Sequence, residues 1–309
     1  MLSASFFKQR ILTPNQFIGS FKDIKLYIKR EDTIHPIVSG NKFRKLKYNL
    51  LEAQKQSASK ILTFGGAYSN HIAATAEACS ILGLESIGII RGEELENDLQ
   101  KTLSQNPTLG FAHQKGMKFH FVSRTDFRQK DELSLVERLL HKNQSTYIIP
   151  EGGTNALAIK GCKEILDSKN NFDIICSSVG TGGTIAGLIE ASKSSQYCIG
   201  FSALKGDFLI DDIARWTSRT NWMLQTDYSF GGYAKVNSDL ISFINWFKKS
   251  YKIQLDPVYT GKMLYGIFEL ISAGYFSKNT RILAVHTGGL QGIEGMNRVL
   301  KQKGKTLIN

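Results

Sequence analysis

The sequence predicts an α/β fold built on parallel β-sheets. Short apolar runs typical of buried strands recur along the chain, and segments with helical spacing separate them. Glycine-rich loops repeatedly follow the ends of these runs, which is where ligands bind in open α/β sheets. The 309 residues, 42% of them hydrophobic and 21% charged, suffice for one large domain or two smaller ones.

The runs that predict strands share an apolar core and a polar or glycine-rich exit. In chain order they are Lys25–Arg30, Ile61–Phe64, Ser86–Ile90, Lys118–Val122, Thr146–Ile149, Asp173–Cys176, Tyr197–Phe201 and Arg281–Val285. Helical spacing of apolar residues follows Lys42, Asn70, Thr184 and Gly261. The stretch Leu204–Asn237 is predicted to form loops and short helices with some aromatic side chains facing a ligand.

Composition narrows the class of protein. There is no run of 18 apolar residues, and Met1–Leu12 lacks the order of a signal peptide, so we expect a cytoplasmic protein without a membrane span. The four cysteines are far apart in apolar contexts, which favours buried thiols and indicates no metal site. The net charge of +12 comes from scattered residues rather than a basic block, so we expect no nucleic-acid partner.

Lys42 stands at the start of a predicted helix, just after the turn Ser39-Gly40-Asn41, which can supply a cap. The positive end of a helix dipole disfavours a cation and favours a neutral amine. A neutral amine is what a Schiff-base lysine offers a carbonyl. Taken alone, however, one of 39 basic residues is most often a solvated surface residue.

Two glycine-rich loops are candidate anion sites. The loop Gly180-Thr181-Gly182-Gly183-Thr184 joins a strand to a helix, and its backbone N–H groups and hydroxyls predict a phosphate cradle. In the loop Gly65–His71, Ser69 and Asn70 stand where a helix begins and could hold a carboxylate. The alternatives are a tight turn for the first loop, a simple N-cap for Ser69 or Asn70, and a structural hydrogen bond for His71.

Together these segments resemble the pyridoxal-phosphate enzymes of the tryptophan synthase β-like fold. Within that fold they resemble the 1-aminocyclopropane-1-carboxylate deaminase / D-cysteine desulfhydrase family. The resemblance covers most of the chain, and the motifs occur in the family's order. They are Gly40-Asn41-Lys42, Ser69-Asn70-His71, Glu151-Gly152-Gly153, Gly180-Thr181-Gly182-Gly183-Thr184 and Asp256-Pro257-Val258-Tyr259-Thr260-Gly261-Lys262.

The resemblance implies two open parallel-sheet α/β domains with pyridoxal 5'-phosphate between them. Residues 1–44 and 151–309 are expected to form the large cofactor-binding domain, and residues 45–150 the small substrate-side domain. A homodimer that acts on a small amino acid is also implied.

The resemblance further assigns roles to single residues. Lys42 is expected to carry the cofactor and to act as the catalytic base, with Asn70 beside the cofactor's phenolic oxygen. Ser69, Asn70 and His71 are expected around the substrate carboxylate, Ser69 also as a nucleophile or proton relay. The phosphate is expected at Gly180, Thr181, Gly182, Gly183 and Thr184, and the two active-site tyrosines are expected to be Tyr233 and Tyr259.

Position 260 separates the activities within the family. In the deaminases of this family the second active-site tyrosine is followed by glutamate. This chain has Tyr259-Thr260 instead, which resembles the desulfhydrases. If this residue faces the pyridine nitrogen, a carboxylate makes the ring a stronger electron sink than a hydroxyl does. Thr287 is an alternative contact for the same nitrogen.

The sequence therefore predicts α,β-elimination of a small amino acid. D-cysteine is the favoured substrate, and it would give pyruvate, hydrogen sulfide and ammonia. Three alternatives stay open. The first is 1-aminocyclopropane-1-carboxylate deamination to 2-oxobutanoate and ammonia. The others are a non-catalytic protein that binds pyridoxal phosphate and a nucleotide- or nucleic-acid-binding protein.

Overall fold

The computed structural model describes residues 4–130, 134, 136–137, 145–168 and 170–309. The strands in these residues are β1 (Asn15–Phe21), β2 (Ile24–Lys29), β3 (Lys60–Gly66), β4 (Glu85–Arg91), β5 (Met117–Val122), β6 (Thr146–Ile149), β7 (Ile174–Val179), β8 (Tyr197–Ser202), β9 (Trp222–Gln225) and β10 (Arg281–Val285). The α-helices are α1 (Asn41–Lys55), α2 (Asn70–Leu82), α3 (Leu99–Gln105), α4 (Pro107–Gln114), α5 (Arg124–Arg128), α6 (Ala156–Lys163), α7 (Gly183–Ala191), α8 (Leu209–Ala214), α9 (Ser238–Tyr251), α10 (Thr260–Ser272) and α11 (Gly292–Gln302).

The strands form two sheets, which confirms the predicted α/β class. One sheet has the order β1-β2-β10-β7-β8-β9, and the other has the order β5-β4-β3-β6. All neighbours pair in parallel except β1 and β2. That antiparallel pair closes on Lys22 and Asp23, whose φ values of 47° and 66° match the two-residue turn favoured in hairpins.

Helices cover both faces of the six-stranded sheet, which explains why its strands are continuous apolar runs. On one face Ile28 and Ala284 pack with Ile244 of α9 and Ile267 of α10. On the other face the same sheet packs against α7, with Leu188 in the core.

The four-stranded sheet has its own core. Ile61 of β3 packs with Leu46 of α1 and Ala74 of α2. The opposite face of this sheet buries Leu62 together with Phe127 of α5.

Helix α1 lies across the predicted domain limit at residues 44 and 45, so a continuous helix carries the chain past it. The two sheets draw their strands from the two predicted groups of residues, with β3–β6 in the second sheet. The exact domain limits stay a prediction.

The stretch Leu204–Asn237 holds the short helix α8 and much irregular chain, but it also contains β9 at the edge of the larger sheet. This strand and β1 escaped the sequence prediction because neither carries a continuous buried run. None of the helices in the described part of the chain combines the length and the apolar character needed to cross a membrane.

Candidate active site

A cavity of about 590 Å³ opens where the carboxyl ends of strands from both sheets meet. Its walls include Gly66–His71 after β3, residues 151 and 152 after β6, residues 180–182 after β7 and Thr287–Gly289 after β10. The volume lies within the range of small-molecule sites, about 300–1,000 Å³. The first turn of α1 also faces it, through Lys42 and Lys45.

The start of α1 is fixed by a close approach of two chain segments. Gly40 has a φ of 58°, and a Cβ there would lie 2.1 Å from the carbonyl oxygen of Thr287. The Asn41 backbone N–H donates to that same oxygen at 3.3 Å. No side chain caps α1, so the cap predicted from the Ser39–Asn41 turn does not form; instead the Asn41 side chain donates to Thr184 Oγ1 at 2.9 Å.

Lys42 is half-buried and faces the cavity. Burial, and then the positive charge of Lys45, lower the pKa of Lys42 from 10.5 to about 7. The amine is therefore substantially neutral near neutral pH, as predicted, but burial is the leading cause rather than its place in the helix.

Lys45, one turn further along α1, escaped the sequence prediction. Its Nζ donates to Gly152 O at 3.1 Å, to Thr154 Oγ1 at 2.9 Å and to Thr181 Oγ1 at 3.2 Å. Burial lowers its pKa to about 8. A lysine three residues after Lys42 shares its helix face, and this spacing was the signal available in the sequence.

The predicted phosphate loop lies beside this ammonium group. Gly180, Thr181, Gly182 and Thr184 line the cavity, whereas Gly183 is buried behind it in the first turn of α7. A Cβ at Gly183 would lie 2.8 Å from the Thr154 side chain and 3.3 Å from Lys45 Nζ. The loop thus presents backbone and hydroxyl groups at a helix N-terminus, next to a buried cation.

Ser69 and Asn70 lie at the start of α2 in the opposite wall. Ser69 Oγ accepts the N–H groups of His71 and Ile72 at 3.3 and 3.5 Å, so it is the N-cap of this helix as well as a cavity residue. Asn70 Oδ1 is buried without a hydrogen-bond partner among the described residues. A buried orphan of this kind beside a cavity is suited to a ligand.

His71 is buried, and its Nε2 lies 2.8 Å from Thr63 Oγ1. Because the only proton of the Thr63 hydroxyl goes to Ile149 O, at 2.8 Å, His71 Nε2 must donate. Burial lowers the pKa of His71 well below 6.5, so the ring is neutral and its Nδ1, which has no hydrogen-bond partner in the described part of the chain, is an acceptor. This tautomer gives no support to the predicted contact between His71 and a substrate carboxylate.

Tyr233 and Tyr259 both line the cavity, with ring centroids 6.3 Å apart in an edge-to-face arrangement. Tyr233 is 44% exposed and lies at the mouth. Burial raises the pKa of Tyr259 well above 10, so this hydroxyl stays protonated. Burial also raises the pKa of Tyr233, but a hydrogen bond with Tyr259 opposes the rise, which makes Tyr233 the more acidic of the pair.

Thr260 and Thr287 were the two candidates to face the pyridine nitrogen. Thr260 is fully buried outside the cavity lining, and its hydroxyl donates to Asp256 Oδ1 at 2.7 Å. Thr287 lines the cavity, and its hydroxyl lies 3.3 Å from Ser178 Oγ. The geometry therefore favours Thr287 of the two candidates, and a direct contact of Thr260 with a ligand stays a prediction.

The mouth also carries charged residues that the sequence did not single out. Glu94 pairs with Arg124 at 2.5 Å, and Glu151 pairs with Lys130 at 3.2 Å. Arg91 lines the same cavity. Since each of these glutamates already has a basic partner, neither offers an uncompensated carboxylate to a ligand.

The donor set fits pyridoxal 5'-phosphate. A low-pKa amine at Lys42 matches an aldehyde, and the loop at Gly180–Thr184 with Lys45 matches a phosphate dianion. The orphan amide oxygen of Asn70 and the Thr287 hydroxyl are left for the ring's polar atoms.

Comparison with known proteins points to the same cofactor. Residues 11–288 match the family model described as pyridoxal-phosphate dependent enzyme. A protein named putative 1-aminocyclopropane-1-carboxylate deaminase from Thermotoga maritima is 31% identical over 93% of this chain and 97% of its own length. A protein from Arabidopsis thaliana named bifunctional D-cysteine desulfhydrase/1-aminocyclopropane-1-carboxylate deaminase, mitochondrial, is 31% identical over 87% of this chain and 73% of its own length.

Solved structures share the fold. The structure of a protein described as an ACC deaminase homologue matches with a TM-score of 0.79 at 28% identity, over 94% of both chains. A hydrogen sulfide-producing enzyme from Fusobacterium nucleatum matches with a TM-score of 0.67 at 14% identity, over 94% of this chain and 99% of that one. The second match shows the fold alone. With its site, its fold and its relatives in agreement, the chain belongs to the pyridoxal-phosphate dependent enzymes, among the relatives of 1-aminocyclopropane-1-carboxylate deaminase and D-cysteine desulfhydrase.

Proposed function

We propose that the protein catalyses α,β-elimination on a small amino acid and releases a 2-oxo acid and ammonia. D-cysteine is the substrate that the site supports best, with pyruvate, hydrogen sulfide and ammonia as products. The observation that carries the reaction class is the Lys42 amine, which faces the cavity with a pKa of about 7. A base with a pKa near the working pH is best suited to proton transfer.

Each wall has a role in this reaction. Lys45 and the loop Gly180–Thr184 would hold the phosphate, and the Thr287 hydroxyl would be available to the ring nitrogen. Bound pyridoxal phosphate supplies the electron sink for the pair of electrons left on Cα. Lys42 would remove the Cα proton with its neutral amine.

The start of α2 would receive the substrate carboxylate at Ser69 and Asn70, whose hydroxyl and amide N–H₂ groups can donate to it near the positive end of the helix dipole. Tyr259 stays protonated and donates, while Tyr233 exchanges a proton with the leaving group at the mouth. These side-chain roles are part of the proposal.

The choice of D-cysteine rests on the absence of an uncompensated carboxylate among the described cavity residues. The hydroxyl at position 260 is committed to Asp256, and Glu94 and Glu151 already have basic partners. A weak electron sink suffices when sulfur carries the electrons away, whereas opening a cyclopropane has no such leaving group. Deamination of 1-aminocyclopropane-1-carboxylate is the second candidate, which the names of the relatives favour.

The test is a substrate panel with the cofactor-loaded protein. D-cysteine, L-cysteine, other D- and L-amino acids with β-leaving groups, and 1-aminocyclopropane-1-carboxylate are assayed for pyruvate, 2-oxobutanoate, sulfide and ammonia. We expect pyruvate and sulfide from D-cysteine. Turnover of 1-aminocyclopropane-1-carboxylate alone would replace the first candidate by the second. A bound cofactor without turnover of any amino acid would instead indicate a non-catalytic binding protein.

We also propose that the enzyme acts as a cytoplasmic homodimer, as expected from the family resemblance. Sedimentation equilibrium of the cofactor-loaded protein gives the assembly mass, and a single-chain mass would contradict the dimer.

A further inference from the structure

The segment that carries Tyr233 has an unusual backbone. It runs from β9 to α9, and four of the five residues 230–234 have positive φ: Phe230 at 54°, Gly231 at 90°, Gly232 at 115° and Ala234 at 55°. A non-glycine residue in the left-handed region costs roughly 1–2 kcal/mol. Local preference therefore does not hold this loop in shape, and contacts from outside it must do so.

Two such contacts are a buried ammonium group and the edge-to-face packing of Phe230 on Tyr265, with ring centroids 5.0 Å apart. The ammonium group is the one that reaches the backbone on both sides of Tyr233. Lys262 is 1% exposed, and its Nζ donates to Ser229 O and to Gly232 O, each at 2.7 Å. Each of these oxygens also closes a turn, because Ser229 O accepts the N–H of Gly232 and Gly232 O accepts the N–H of Lys235. Lys262 thus ties together the two turns on either side of Tyr233.

Lys262 also links the loop to the second tyrosine. It stands in the first turn of α10, and Tyr259 is the N-cap residue of that helix. One helix end therefore fixes Tyr259 through the chain and Tyr233 through the lysine. Its hydrogen bonds are charge-assisted, and such bonds are about twice as strong as neutral ones.

We propose that Lys262 is a positioning residue, which holds the carbonyl groups of Ser229 and Gly232 so that Tyr233 stands against Tyr259 at the cavity mouth. The inference rests on the proposed catalytic role of Tyr233. Lys262 is not among the residues that line the cavity, so its role is one of positioning rather than of direct contact with a ligand.

The test begins with Lys262→Met, which keeps a long apolar stem and removes the donors. We expect kcat for the amino acid turned over to fall between about tenfold and a hundredfold, as displaced catalytic groups do. The bound-cofactor absorbance should stay unchanged. Lys29→Met is the matched control, since Lys29 Nζ is also buried and donates to a backbone carbonyl, that of Thr13 at 2.7 Å, away from the cavity. It should leave kcat unchanged.

A double-mutant cycle separates positioning from a general structural effect. If Lys262 acts through Tyr233, Lys262→Met should have almost no further effect in a Tyr233→Phe background. The same fold-loss in both backgrounds would overturn the proposal. Lys262→Gln, which keeps an N–H₂ donor, should recover part of kcat and serves as the test variant should the methionine variant not fold.

Hydrogen exchange gives a readout that does not depend on turnover. The amides of Gly232 and Lys235 donate to the two carbonyl groups that Lys262 holds, so both should exchange faster in Lys262→Met than in Lys29→Met. Unchanged exchange at both amides would show that the loop is held by other contacts and would end the proposal. If both amides exchange faster in Lys262→Met but the unmodified protein turns over no amino acid, the positioning role of Lys262 is supported and the proposed function is contradicted.

Discussion

Two lysines on one face of α1 line the cavity, and they differ in what they offer a ligand. Lys42 offers an amine with a pKa of about 7, and Lys45 places a cation against Thr181 in the glycine loop. The sequence singled out the first lysine through its motif. The second was missed despite its spacing of three residues, because a lysine within a basic helix is typical of a solvated face until the fold buries it.

Replacing Lys42 should abolish the covalent link to the cofactor. Lys42→Ala, loaded with pyridoxal phosphate and reduced with borohydride, is expected to show no cofactor adduct by mass spectrometry. The other cavity amine, Lys45, is held by its hydrogen bonds to Gly152 O, Thr154 and Thr181. Lys47→Ala is the control: the Lys47 amine lies on the same helix but pairs with Glu164 at 2.7 Å outside the cavity. One adduct per chain in the Lys42 variant would contradict the assignment.

The reactivity of Lys42 should follow its lowered pKa. In the cofactor-free protein, reductive methylation of Lys42, read by peptide mass spectrometry, should reach half its maximum rate near pH 7, because only the neutral amine reacts. Lys45→Met removes a positive charge that lowers the pKa of Lys42, so the midpoint should move upward. It should stay below 10.5, since burial is the larger cause. A midpoint that moves downward would reverse the sign of this coupling.

At the scale of elements, the sequence predicted eight of the strand positions because buried parallel strands are continuous apolar runs. It missed β1 and β9, which lie at the two edges of the larger sheet and are only partly buried. The sequence also could not predict which way a single side chain points. Thr260 follows Tyr259 in the motif, yet its hydroxyl donates to Asp256 Oδ1 and only the tyrosine lines the cavity.

Gly40 lies where the start of α1 meets the loop after β10, and we expect the stability of the protein to be sensitive to substitution there. Gly40→Ala places a Cβ 2.1 Å from Thr287 O in a backbone conformation that only glycine adopts easily. We expect the free energy of unfolding to fall by about 2 kcal/mol or more, from overpacking and backbone strain together.

Gly83→Ala is the matched control for this substitution. Gly83 also has a positive φ, 69°, but a Cβ there would meet nothing within 4 Å. It should cost only about 1 kcal/mol of backbone strain. Chemical denaturation of the two variants measures both free energies of unfolding. Equal decreases would show that the close approach to Thr287 does not contribute to the cost of substituting Gly40.

At the scale of the whole molecule, both sheets contribute walls to one cavity, so a ligand in it is bonded to both. Pyridoxal phosphate should therefore raise the unfolding temperature by a few degrees, since a hundredfold excess over Kd stabilises by about 2.7 kcal/mol. Pyridoxine 5'-phosphate, which lacks the aldehyde, should raise it less. In Lys42→Ala the two compounds should become equivalent, and a difference that persists there would place the covalent contact elsewhere.

The contact between Gly40 and Thr287 has a consequence for the order of synthesis. Thr287, which approaches the helix start at Gly40, is synthesised 245 residues after Lys42 (287 − 42). At about 5–20 residues per second, the nascent chain holds this amine without its pocket for on the order of ten seconds or more. The cavity that surrounds Lys42 can therefore be completed only after translation has passed β10, because Thr287–Gly289 form part of its wall.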